Sequence, residues 1–203
     1  MEKVGDPVRR SDHRYTYGEY CTWDDEERWE IIDSVPWNMS PAPRERHQRY
    51  LIELGRQIAN FLVEKECRVY PTPFDVVLPN SPWESAEDSP TVVQPDICVI
   101  CDRSKIVEAG CVGAPDFIIE ILSPSTSPKD TEIKRKLYQR HGVREYWIVD
   151  SENRHILVYV LDDHGAYPDE PGVYAIDVKS GRPTLQSAVL PGFALDLRQV
   201  FAE

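Results

Sequence analysis

The sequence predicts an α+β fold, in which a mixed β-sheet is flanked by helices. A helix and a hairpin precede the sheet, and extra strands follow it. Three observations support this. One long segment repeats its apolar residues at helical spacing, and a second helix carries its own capping residues. Most of the remainder falls into short runs rich in Val, Ile, Tyr and Trp. Strands and helices do not alternate regularly, which argues against a doubly wound parallel sheet.

Residues 1–14 are polar and aperiodic and are expected to form a flexible tail. Residues 15–203 are expected to form one domain, the default at this length. Tyr15 to Asp24 predicts a short helix, and Arg28 to Asp33 a strand. Asp33-Ser34 turns the chain into a returning strand, Val35 to Met39. After Ser40-Pro41-Ala42-Pro43 breaks the pattern, His47, Tyr50, Leu51, Leu54, Ile58, Phe61 and Leu62 recur every three or four residues, giving one apolar helix face. Cys67 to Leu78 reads as a strand or strand pair, and Pro79 to Thr91 as a polar loop. Val92 to Cys101 and Pro115 to Leu122 read as two strands.

Ser127-Pro128-Lys129-Asp130 has the form of a helix start. Ser127 suits the N-cap, Pro128 the first helical position, and Asp130 the capping-box acid. That helix is expected to run to His141 and stop at Gly142. Val143 to Asp150 is a further strand, and residues 154–161, 172–178 and 184–189 are strand-like. Leu195 to Phe201 predicts a closing helix.

The charge balance narrows the function. With 35 acidic against 23 basic residues the net charge is −12. A protein that coats nucleic acid non-specifically is usually basic, because neutralising phosphates supplies its affinity. A local basic patch, or metal ions at a carboxylate site, would still admit a phosphate backbone. No apolar run is long enough for a transmembrane helix, and the N-terminus has no signal-like apolar core. The expectation is a soluble, cytoplasmic protein. Its five cysteines are expected to be reduced thiols. Cys98 and Cys101 have zinc-knuckle spacing but no second pair or His cluster.

Two acids stand where apolar residues are expected. Glu120 interrupts Phe117-Ile118-Ile119-Glu120-Ile121-Leu122, and Asp96 interrupts Val92 to Ile100 directly after Pro95. A buried carboxylate without a partner is costly enough to neutralise itself, so a compensating metal or Lys is the economical explanation for Glu120. The alternative is a strand end where Glu120 reaches water. If the two strands are neighbours the acids converge, and hard cations such as Mg²⁺ or Mn²⁺ suit such oxygen ligands. Alternation would set Asp96, Cys98 and Ile100 on one face. Lys134, one turn after Asp130, is the candidate third member, unless it belongs to a solvated face with Lys129, Arg135, Lys136 and Arg140. His47 and Glu30 are candidates for an added ligand or proton-transfer group. The bland reading of His47 is a satisfied core or capping histidine.

In order, the sequence contains Pro95-Asp96, Glu120 with Ser123-Pro124-Ser125-Thr126, Asp130, Lys134 with Tyr138, and Gly142-Val143-Arg144-Glu145-Tyr146-Trp147-Ile148-Val149-Asp150. This series resembles the Uma2 family over Tyr15 to Phe201. The resemblance implies the restriction-endonuclease-like PD-(D/E)xK fold. It also implies that Asp96 and Glu120 hold a divalent metal, Mg²⁺ or Mn²⁺, and the mechanism expected here adds the Ile121 carbonyl as a further ligand. Lys134 would be the catalytic lysine, Glu30 the N-terminal acidic position, and His47 the histidine after the Ser-Pro segment. Two features depart from the pattern. The superfamily lysine belongs two residues after the acid, where Leu122 stands, and the hairpin turn is Asp33-Ser34 in place of Asp-Gly. Asp116, in a second Pro-Asp pair, is either a decoy or an extra ligand. The implied activity is metal-dependent hydrolysis of nucleic acid, by family analogy DNA, in a possible homodimer. The alternative is a nuclease-fold module that binds metal or a partner without cutting.

Overall fold

Apolar periodicity puts the long helix where it was expected. In the computed structural model, which describes residues 13–24, 28–39, 45–122, 128–175 and 183–202, α2 spans Glu45–Phe61. It buries Tyr50, Leu51, Leu54 and Ile58. The short helix before it, α1 (Tyr17–Tyr20), has four residues where ten were expected. Its capping box closes on Thr16 and Glu19, and Cys21 ends it. The hairpin of β1 (Trp29–Ile32) and β2 (Val35–Asn38) turns on Asp33 and Ser34, both at positive φ, as a tight two-residue hairpin turn requires.

The strands divide between two mixed sheets. The first contains β1, β2, β4 (Asp75–Val77), β5 (Val92–Val93), β7 (Ile106–Val107) and β8 (Gly110–Val112), in the order β2-β1-β5-β4-β8-β7. The central sheet contains β3 (Arg68–Pro71), β6 (Ile97–Ile100), β9 (Phe117–Leu122), β10 (Glu145–Asp150), β11 (His155–Val160) and β12 (Gly172–Ala175), in the order β12-β11-β10-β9-β6-β3. Within the central sheet only the β9–β10 pairing is parallel. The crossover between those two strands carries α3 (Pro128–Arg140), and Gly142 at φ +80° ends it. Ser127 and the Asp130 side chain lie outside what is described. A small ribbon of β13 (Thr184–Gln186) and β14 (Ala194–Asp196) leads into α4 (Leu197–Val200).

Period-2 alternation in β9 sorts the core. Phe117, Ile119 and Ile121 face a cluster with α2, α4 and Phe193. Ile118 faces the opposite cluster, with Leu137 and Tyr138 of α3 and with Val76 and Val93 of the first sheet.

Several expectations are corrected. The tract from Val92 to Cys101 is two strands in different sheets, because Pro95 has no N–H to continue a ladder and the chain crosses over at Gln94-Pro95-Asp96. Cys98 and Ile100 share a face as expected, but Asp96 lies in the crossover and not on that strand. The β7–β8 hairpin and β14 were not anticipated. Nor are all the cysteines free. Extending the β3–β6 register by one residue sets Cys67 opposite Cys101, and a disulfide joins them. Cys21, Cys98 and Cys111 are free thiols. No described helix is long and apolar enough to cross a membrane.

Candidate active site

The β6–β9 pairing brings the two anomalous acids together. Ile97 lies opposite Ile119, so one further step along the register sets Asp96 opposite Glu120. Asp96 Oδ2 accepts the Ile121 backbone N–H at 2.7 Å and lies 3.2 Å from His47 Nε2, on the first turn of α2. Glu120 Oε1 accepts from Lys134 Nζ at 2.9 Å and from the Tyr138 hydroxyl at 2.7 Å. Lys134 and Tyr138 are four residues apart on α3 and therefore share a helix face. Lys134 Nζ also donates to Glu30 Oε1 at 2.9 Å, and the Gln94 backbone N–H donates to that same oxygen. All five residues singled out in the sequence thus gather where the two sheets meet.

Each of the two central acids is held in the same manner. One oxygen carries two partners, while Asp96 Oδ1 and Glu120 Oε2 take no hydrogen bond among the described residues. The side chains of Asp96 and Glu120 are only 15% and 13% exposed. Glu120 and Glu30 share one lysine, and Asp96 stands opposite Glu120. Burial pushes the Glu120 carboxyl up, Lys134 draws it back, and Asp96 and Glu30 push it up again, so that it titrates at about 7. Burial also works against the Lys134 charge, yet Glu120 and Glu30 outweigh it and hold the ammonium above its ordinary value. His47 follows the same logic. Burial lowers it, but the Asp96 bond and the charges of Asp96 and Glu120 raise it overall.

A hard divalent cation fits this donor set. The excess negative charge and the two open carboxylate oxygens are what Mg²⁺ or Mn²⁺ takes, and the Ile121 carbonyl lies beside them in sequence. Among the described residues no three His, Cys, Asp or Glu side chains form a ready metal cage.

The family model for Uma2, described as "putative restriction endonuclease", matches residues 16–198. The chain belongs to the Uma2 family. An uncharacterised protein of Synechocystis is 24% identical over 150 residues, covering 72% of this chain and 74% of the relative. A solved structure described as a putative nuclease of DUF820 from Anabaena variabilis superposes with a TM-score of 0.69 at 19% identity. It covers 91% of this chain and 95% of that one. The likeness establishes the fold, which is restriction-endonuclease-like. Glu30, His47, Asp96, Glu120 and Lys134 all lie inside the span matched by the Uma2 model.

Other sequence candidates lie elsewhere in this Uma2 chain. Asp116 accepts the Cys101 backbone N–H at 2.6 Å and pairs with Arg144 at 2.5 Å, at the opposite end of β9 from Glu120. The remaining described basic residues of α3 are engaged. Lys136 pairs with Glu132, Arg140 with Asp33, and Arg135 lies over the Tyr159 ring. Sequence reasoning missed Gln94, whose backbone holds Glu30. Its side chain is bound by Arg28, Asp75 and Tyr20. It also assigned no role to Tyr138, although the four-residue spacing from Lys134 was the available signal.

Proposed function

We propose that this chain is a metal-dependent endonuclease that hydrolyses phosphodiester bonds in nucleic acid, DNA in the first instance, in the cytoplasm. The observation that carries the reading is the convergence of Asp96 and Glu120, opposite each other across β6 and β9, with the protonated Lys134 bound to Glu120. Mg²⁺ or Mn²⁺, held by Asp96, Glu120 and the Ile121 carbonyl, would supply Lewis acidity toward the phosphate and lower the pKa of a bound water. Lys134 holds a proton at Nζ and either orients the attacking water or offsets charge growing on the phosphate oxygens. Glu30 keeps that ammonium charged and aimed. His47 fixes Asp96, so in this reading it is not a free ligand. The names carried by the family and by the solved relative support nucleic acid as the substrate, and the choice of DNA rests on that analogy. Cutting both strands needs two sites, so the reading expects a homodimer.

The test is incubation with supercoiled plasmid, single-stranded DNA or RNA in Mg²⁺ or Mn²⁺, beside Glu120→Gln and Lys134→Ala. Cleavage that disappears in both variants and in EDTA is expected. If the wild type binds metal but cuts none of these polymers, the non-catalytic module becomes the better account.

A further inference from the structure

Glu120 has a second partner besides Lys134, the hydroxyl of Tyr138, whose ring belongs to the core. Tyr138 is fully buried. Its ring packs edge-on against Tyr146 at 5.0 Å between centroids, and Tyr146 in turn contacts Tyr159 and Tyr167. These contacts need only the rings. The hydroxyl is cut off from solvent and donates to Glu120 Oε1 at 2.7 Å, the oxygen that Lys134 also binds. Two donors converging on one oxygen fix the rotation of the carboxylate and leave Oε2 without a hydrogen bond among the described residues. The His47 and Ile121 contacts do the same for Asp96.

We infer that Tyr138 is a positioning residue for the metal, acting through Glu120 to preset the oxygen that receives the ion. This rests on the metal-site reading above. Tyr138 touches neither ion nor substrate. A hydrogen-bonding group behind a metal ligand typically changes metal affinity by about 10–100-fold when it is removed.

Tyr138→Phe removes one atom and leaves the ring packing in place, so folding is retained. Tyr159→Phe changes a hydroxyl in the same tyrosine cluster and serves as the control. Mn²⁺ affinity of the full chain is measured by calorimetric titration, alongside melting temperature in EDTA. The expected result is Mn²⁺ binding weakened about 10–100-fold in Tyr138→Phe, near wild type in Tyr159→Phe, with little change in either metal-free melting temperature. Plasmid cleavage by Tyr138→Phe then recovers as Mn²⁺ is raised. Unchanged Mn²⁺ affinity in Tyr138→Phe, with normal wild-type binding, overturns this inference and leaves the nuclease reading standing. If the wild type binds Mn²⁺ but cuts nothing, the nuclease reading fails alone. Wild-type protein that binds no Mn²⁺ overturns both.

Discussion

The two ends of the β6–β9 ribbon are built alike and partnered differently. Each begins with a Pro-Asp pair just before a strand, and each Asp accepts a backbone N–H from the end of the opposite strand. Asp96 takes that of Ile121, and Asp116 takes that of Cys101. Their side chains are almost equally covered, at 15% and 14% exposed, so burial does not tell them apart. Their remaining oxygens do. Asp116 gives its second oxygen to Arg144, and the adjacent Cys101 is tied to Cys67. Asp96 takes no hydrogen bond on its second oxygen among the described residues and stands opposite Glu120, which shares Lys134 with Glu30. One end is a closed structural joint, and the other is left with unbalanced negative charge.

Glu145 sharpens the contrast. It sits one strand away from Glu120, on β10, and is fully buried. The Trp147 indole N–H, the Ser187 hydroxyl and the Val189 backbone N–H satisfy its two oxygens. A buried carboxylate whose donors are all neutral and complete holds structure together. A buried carboxylate crowded by other acids, with an oxygen to spare, is poised for a cation.

Substitution at the open end should have the largest effect. Asp96→Asn or Glu120→Gln is expected to lower metal-dependent plasmid cleavage at least about 100–1,000-fold, with Asp116→Asn close to wild type in the same assay. Equal losses at the two ends would remove the distinction. For stability the ranking reverses. Glu145→Ala leaves two buried donors and one half-buried donor without an acceptor, an expected cost of about 3–4 kcal/mol, or a fall in melting temperature of about 10 °C, with no loss of Mn²⁺ binding.

The next effect is pH-dependent and confined to the open end. Metal-free Glu120 titrates at about 7 against an ordinary 4.5, so the folded state holds a proton there that the unfolded chain has already released. Its contribution therefore favours folding at low pH and is lost as pH rises from about 4.5 to about 7. A shift of this size corresponds to a change on the order of 3 kcal/mol. Melts in EDTA across that range should show the decline in wild type and a flatter profile in Glu120→Gln. The smallest effect is Asp116→Ala, about 1–2 kcal/mol from one lost acceptor. The Arg144 pair adds little, because that arginine is 55% exposed.

Much of this was readable from the sequence, for physical reasons that can be traced residue by residue. Asp96 and Glu120 stand out because burial rules exclude acids from apolar strands, and α2 because six apolar residues and His47 recur on one helical face. The β5–β6 crossover was hinted at by Pro95 but read as one strand, since no local pattern reports which sheet a residue joins. The β7–β8 hairpin is too short to show alternation. Its Gly110 is needed because a Cβ there would lie 2.1 Å from the Asp75 carbonyl oxygen, a constraint invisible without the fold. Asp116 and Glu145 could not be separated from the site by residue type. Only their partners, Arg144 at 28 residues' distance and Ser187 at 42, decide it.

The most direct test of the claim that the open end is a metal site is anomalous diffraction from crystals grown with Mn²⁺. The account predicts a peak between the carboxylates of Asp96 and Glu120, absent in Glu120→Gln, and nothing at Asp116 or Glu145. Fully occupied Mn²⁺ elsewhere with none at Asp96 and Glu120, or a peak at Asp116, would contradict it.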